Sequence, residues 1–238
     1  MNNDFTAFID DLKSTHGGNL ASVILYGSVA AGDTSPARAD QHLLIALKKI
    51  GPADLRNAHA CVREWQRSGH PAPVYFTVSE LHDAADVFPI EFHQMSQARK
   101  VLYGSDVLAD VDVSGGDLRL QTEYELRSKL LRLRRQYIPA SVSVDRLKSL
   151  MAESVGSFAT LFRAVLLIKG VEPPSTKRAI TAMTAQETGI DGRPFEKIFN
   201  IRENNFTEKL DETSANLLFG DYLEQIESVI DAVDAMDK

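Results

Sequence analysis

The sequence predicts an α+β protein in two parts, an N-terminal α/β domain over residues 1–112 and a helical bundle over 117–238. Three observations predict it. Short apolar runs rich in β-branched residues recur in the first half, at 21–26, 43–47 and 74–78. In the second half apolar residues fall at helical spacing almost throughout. Between the two lies Asp110-Val111-Asp112-Val113-Ser114-Gly115-Gly116, a turn-rich stretch that reads as a boundary.

Phe5, Phe8, Ile9 and Leu12 share one helical face, so residues 4–15 read as a short amphipathic helix ended by Gly17-Gly18. Ala21 to Tyr26 reads as a buried strand that stops at Gly27-Ser28. After the loop from Gly32 to Pro36, Leu43 to Leu47 reads as a second strand. Pro52 to Arg67 reads as one helix with Pro52 in its first turn. Val74 to Val78 is the third strand, and Ser79 is placed to cap a short helix from Glu80 to Asp86. The bundle begins with a helix over 117–138. A second covers 144–169, with Leu147, Met151, Val155, Phe158 and Phe162 on one face. Shorter helices fill the stretch between Ser175 and Asn205, and a last one covers 214–236.

The chain has 238 residues, 44% apolar and 25% charged, which excludes a collagenous or disordered protein. It carries 26 Lys and Arg against 33 Asp and Glu, a net charge of −7, which argues against a protein held mainly by nucleic-acid phosphates. Cys61 is the single cysteine, so no intrachain disulfide and no cysteine-rich zinc site can form, and a reducing cytoplasm is expected. The start Met1-Asn2-Asn3-Asp4 has no basic or apolar signal region. The longest apolar stretches, such as Ala164 to Ile168, are short for a bilayer, so no membrane partner is expected.

The segment that points to chemistry is Leu25-Tyr26-Gly27-Ser28, followed by Asp40-Gln41-His42 at the start of the second strand. Gly27 permits close backbone approach, so N–H groups at the turn and the Ser28 hydroxyl can hold phosphate oxygens. Residues two apart in a strand share a face, so positions 40 and 42 project together.

A strand, Gly-Ser, eleven intervening residues and an acid entering the next strand resemble the nucleotidyltransferase superfamily of DNA polymerase β-like enzymes and antibiotic nucleotidyltransferases. The stretches Phe88 to Phe92 and Val101 to Asp106 are also similar to bacterial proteins of that kind, in which a Leu-Tyr-Gly turn closes the α/β domain. The resemblance covers roughly residues 20–110, and the helical half by architecture alone. It implies a nucleotidyltransferase-type domain joined to a helical bundle, with the ligand cleft between them. It also implies a nucleoside triphosphate, Mg²⁺, and transfer of a nucleotidyl group to a hydroxyl of a small molecule or protein. Gly27 and Ser28 would then hold phosphates. Asp40 would bind the metal, and Asp40 and His42 would occupy the catalytic pair of positions.

Three departures stand against full activity. Position 42 is His where the family has a second acid, position 31 is Ala where many members have a basic residue, and Val74 to Val78 holds no carboxylate. A neutral imidazole is a poor ligand for Mg²⁺. The departures predict weak or lost chemistry and support an alternative, a non-catalytic nucleotide-binding or regulatory protein. Glu91 is either a displaced acid or a structural carboxylate, buried or half-buried and paired with an arginine.

Residues 117–138 hold six basic and three acidic residues, including Arg127, Lys129, Arg132, Arg134 and Arg135. One reading makes Arg127 and Arg134 nucleotide-binding. The other makes this a solvated face, with Leu126, Leu130 and Leu133 turned to the core. From Glu203 to Lys238 there are ten acids and two bases, an acidic tail able to pair with that helix. No histidine follows His93, so the Arg-x(4–6)-His ribonuclease motif carried by many helical partners of such domains is absent. His16, His59, His70, His82 and His93 show no metal-ligand spacing.

Overall fold

A four-stranded sheet organises the first half of the chain. The computed structural model describes residues 3–27, 29–30 and 41–237, and it divides the chain into two units, Met1–Ser114 and Gly115–Lys238. The strands are β1 (Leu20–Tyr26), β2 (His42–Leu47), β3 (Val74–Thr77) and β4 (Arg99–Gly104), in the order β3-β2-β1-β4. β1 runs antiparallel to both β2 and β4, and β2 runs parallel to β3.

Both faces of this sheet are covered, which is why its strands read as unbroken apolar runs. Val23, Leu25, Leu43, Ile45 and Leu47 pack with Phe5, Phe8 and Leu12 of α1 (Asn3–His16) and Trp65 of α3 (His59–Arg67). On the other face Ile24, Leu44 and Ala46 pack with Leu81 of α4 (Val78–Asp83), Phe92 and Met95 of α5 (Pro89–Gln97), and Leu108.

Three local expectations are corrected. The Leu102-Tyr103-Gly104 segment is part of a strand, β4, and its close fit explains the glycine. Gly104 has φ +77°, and a Cβ there would stand 1.9 Å from the Ala21 carbonyl oxygen. The helix expected over 52–67 is two, α2 (Pro52–Asn57) and α3, joined at the buried Ala58. Thr77, not Ser79, caps α4. Its hydroxyl accepts from the Glu80 N–H at 3.1 Å while Glu80 accepts from the Thr77 N–H at 2.7 Å. Ser79, already inside the helix, bonds Asp83 instead.

The second unit is all helical: α6 (Gly115–Ala140), α7 (Val144–Ile168), α8 (Lys177–Thr188), α9 (Arg193–Arg202) and α10 (Glu212–Asp234). α7 packs against the other four. Although α7 is long and apolar enough to cross a membrane by length and composition, it is the core of this bundle, with Met151, Val155, Phe158, Phe162 and Val165 buried. Tyr222 of α10 is fully buried, with the rings of Phe158 and Phe195 set edge-on to it at 6.2 and 5.4 Å. Its hydroxyl meets that of Ser154 at 3.1 Å.

Among the unsatisfied buried groups of the first unit, His16 is titratable near neutral pH. His16 is 7% exposed, and neither ring nitrogen has a hydrogen-bond partner among the described residues. Its ring stands edge-on to Tyr75, whose hydroxyl is also buried and unpartnered among them. Burial pushes the His16 imidazole below its ordinary value of 6.5, against a smaller opposing pull from Asp54. The unfolded chain therefore takes up this proton first, and stability falls as pH drops through about 6.5. His16→Leu should flatten that part of the decline and be no less stable at neutral pH. Urea midpoints of both proteins across this range check it, and equal slopes would count against the buried neutral imidazole.

Candidate nucleotide site

β1 ends at Tyr26, and the next residue turns the chain out of the sheet. Gly27 has φ +83°, a conformation that glycine adopts without strain and other residues do not. Its N–H donates to the Ala98 carbonyl at 3.0 Å, so this amide is already committed. Gly27 therefore contributes the bend itself, and its own N–H is not free for a further partner.

The antiparallel register sets His42 directly opposite Tyr26. Their rings lie 5.6 Å apart at 29°, a stacked pair. A Cβ on Gly27 would lie 3.7 Å from His42 Cδ2, so the imidazole borders the bend. Arg99 of β4 is Tyr26's partner on the other side. The Arg99 Nε is 2.9 Å from the Asp106 carboxylate, and its Nη1 donates to the Ser96 carbonyl at 3.0 Å. Burial pushes the Tyr26 phenol above its ordinary value, and the Glu91 carboxylate adds to that.

The structure therefore brings Gly27 and His42 together at one end of the sheet, with Tyr26 between the two neighbouring strands. Ser28, Asp33 and Asp40 lie outside the described residues. Glu91 is exposed on the first turn of α5, not buried or half-buried, because the inward positions of that helix go to Phe92 and Met95. The side-chain oxygen of Gln41, the residue before His42, is buried without a hydrogen-bond partner among the described residues.

Arg127 and Arg134 lie on α6 in the second unit, and each has a carboxylate partner there. Arg127 Nε is 2.8 Å from Glu123, and Arg134 Nη2 is 2.6 Å from Glu227 of α10. The second pair joins the acidic tail to the basic helix. Glu123 also binds Arg119 at 3.0 Å. Tyr137 is structural: it stacks on Phe219 at 4.2 Å, and its hydroxyl donates to Asn216 at 2.7 Å.

The Arg99–Asp106 pair flanking Tyr26 was missed by sequence reasoning. The signal for it was the apolar run from Val101 to Tyr103, which places Arg99 at a strand entrance once that run is taken as a strand.

The described residues do not form a Mg²⁺ site. Among them no group of three or more His, Cys, Asp or Glu is placed to hold a metal. Mg²⁺ demands an octahedron of oxygens, whereas His42 offers a nitrogen and β3 brings no carboxylate to its neighbour β2.

No protein-family model and no curated protein matches the sequence. Among solved structures, the fold is similar to that of spectinomycin adenyltransferase AAD(9) from Enterococcus faecialis, crystallised with ATP and spectinomycin. The match has a TM-score of 0.57 and 11% identity, covering 98% of this chain and 100% of the other. At that identity the likeness shows the fold: α+β, of the nucleotidyltransferase type, with a helical C-terminal part.

The bend can be tested without any ligand. Gly27→Ala should cost about 1–2 kcal/mol of stability, because the new side chain must hold a positive φ. Gly115→Ala should cost nothing, since nothing lies within 4 Å of a Cβ there. Denaturant melts compare the two, and equal small effects would show that Gly27 does not need its conformation.

Proposed function

We propose that this chain binds a nucleoside triphosphate at the Gly27 turn and is built for transfer of a nucleotidyl group to a hydroxyl on a small molecule or protein. One observation carries the reading: the positive-φ bend at the end of β1, with the His42 imidazole 3.7 Å from the place of a Cβ. The likeness in fold to an adenyltransferase crystallised with ATP and a small molecule supports it.

In such a transfer the acceptor oxygen bonds to the α-phosphorus, the bridge to the β-phosphate breaks, and pyrophosphate leaves. The hydroxyl proton must pass to a base, and His42 is a described group at the turn with that capacity. Ser28 would bind phosphate oxygens, and Asp40 would supply a carboxylate. A divalent ion, when bound, would neutralise charge on the phosphates. Arg127 and Arg134, in the second unit, are already paired with Glu123 and Glu227 there.

A second reading, a non-catalytic nucleotide-binding or regulatory protein, is favoured by a specific observation. His42 is stacked on Tyr26 where the resemblance calls for an acid, and the described donor set does not suit Mg²⁺.

Calorimetric titration with ATP, with and without Mg²⁺, tests the shared claim of binding. Under the transferase reading Mg²⁺ tightens ATP binding, and His42→Asp strengthens that dependence by about tenfold. Under the regulatory reading ATP binds equally well without the ion. No heat of binding under either condition rejects both.

A further inference from the structure

We propose that a cavity between α6 and α7 binds the phosphate of a small hydroxylated phosphomonoester, such as a sugar phosphate. The cavity measures about 220 Å³ and is built wholly within the second unit. Lys129, Arg132 and Gln136 approach it from α6, and Glu153 and Ser157 from α7. Its floor is apolar, made by the buried Leu133 and Phe158.

The charge distribution along α6 makes this cavity unusual. Arg119, Arg127 and Arg134 each have a carboxylate within ion-pair distance. Lys129, Arg132 and Arg135 have none among the described residues, and of these Lys129 and Arg132 line the cavity, together with Glu153. Lys129 and Arg132 stand three positions apart on one helix, so their side chains are neighbours and repel each other. Lys129 is half-buried and Arg132 is exposed. A doubly charged anion placed between the two cations removes that repulsion and gains charge-assisted hydrogen bonds.

The remaining groups set the ligand's character. The Ser154 hydroxyl is committed to the Met151 carbonyl and the Tyr222 hydroxyl, both at 3.1 Å. Ser157 and Gln136 are exposed and carry no hydrogen bond to other described residues, so both can donate to phosphate oxygens. Glu153 accepts only. A bare phosphate meets it unfavourably, whereas a ligand hydroxyl extending from the phosphate donates to it. The site therefore selects a phosphomonoester with a hydroxylated body over free phosphate.

The test is titration of the full chain with ribose 5-phosphate, inorganic phosphate and ribose, with backbone amide shifts recorded alongside. Ribose 5-phosphate should bind more tightly than phosphate, and ribose should not bind. Lys129→Gln with Arg132→Gln should weaken the phosphomonoester roughly tenfold or more. Glu153→Gln should narrow the preference for ribose 5-phosphate over phosphate. Should the double variant lose its helical signal, the exposed Arg132→Gln alone carries the same expectation. Shift changes confined to α6 and α7 support the site. Changes centred on Gly27 and His42 would instead give the phosphate to the nucleotide turn and overturn this proposal, as would unchanged affinity in the charge variants or no binding at all. The proposal does not depend on ATP binding at that turn, so either can fail alone.

Discussion

The pairing of β1 with β2 is the constraint on which the candidate site depends. It puts Tyr26 opposite His42, and it ends β1 where the chain can leave the sheet only through a residue that tolerates φ +83°. Gly27 meets that demand, and the same register brings the His42 ring against the bend. The pairing is held by burial on both faces: Ile24 and Leu44 on one side, Val23, Leu25 and Ile45 on the other. A slip of one residue would exchange the two faces and carry His42 away from the bend. The apolar pattern of the strands therefore fixes the geometry of the polar site.

The helical unit depends on a different kind of constraint. Tyr222 lies at its centre, ringed by aromatic side chains, with its hydroxyl satisfied by Ser154. Around this core five of the six cations of α6 fall into two roles. Arg134 ties α6 to α10 through Glu227, and Arg127 shares Glu123 with Arg119. Lys129 and Arg132 face a cavity instead. A run of basic residues in sequence is thus partly structural and partly uncommitted, and the helical period sorts one from the other.

Much of the fold was legible because burial imposes strong patterns. β1, β2, β3 and the long helices lie close to where their apolar runs place them. β4 was not legible as a strand. Arg99, Lys100 and Gly104 dilute its apolar character, its residues are half-buried or exposed, and its pairing with β1 is interrupted by a register shift. The start of α4 was read two residues late, since Ser79 and Thr77 are both suitable caps and only the end of β3 decides between them. In the candidate site, the closeness of Gly27 and His42 followed from strand and turn patterns. The pairing of the acidic tail with the basic helix was legible from charge, and Arg134–Glu227 realises it, but which residues meet was not, because Glu227 is 93 residues from Arg134 in the chain. The exposure of Glu91 depends on how α5 is rotated about its axis, which the short segment around it does not fix.

The central claim is that the bend after β1 receives a chain of phosphates. Crystals of the full protein grown with a non-hydrolysable nucleoside triphosphate test it most directly. The account predicts phosphate density against the turn that follows Gly27, within reach of the His42 imidazole. Nucleotide density elsewhere on the molecule, with this turn packed shut, would contradict it.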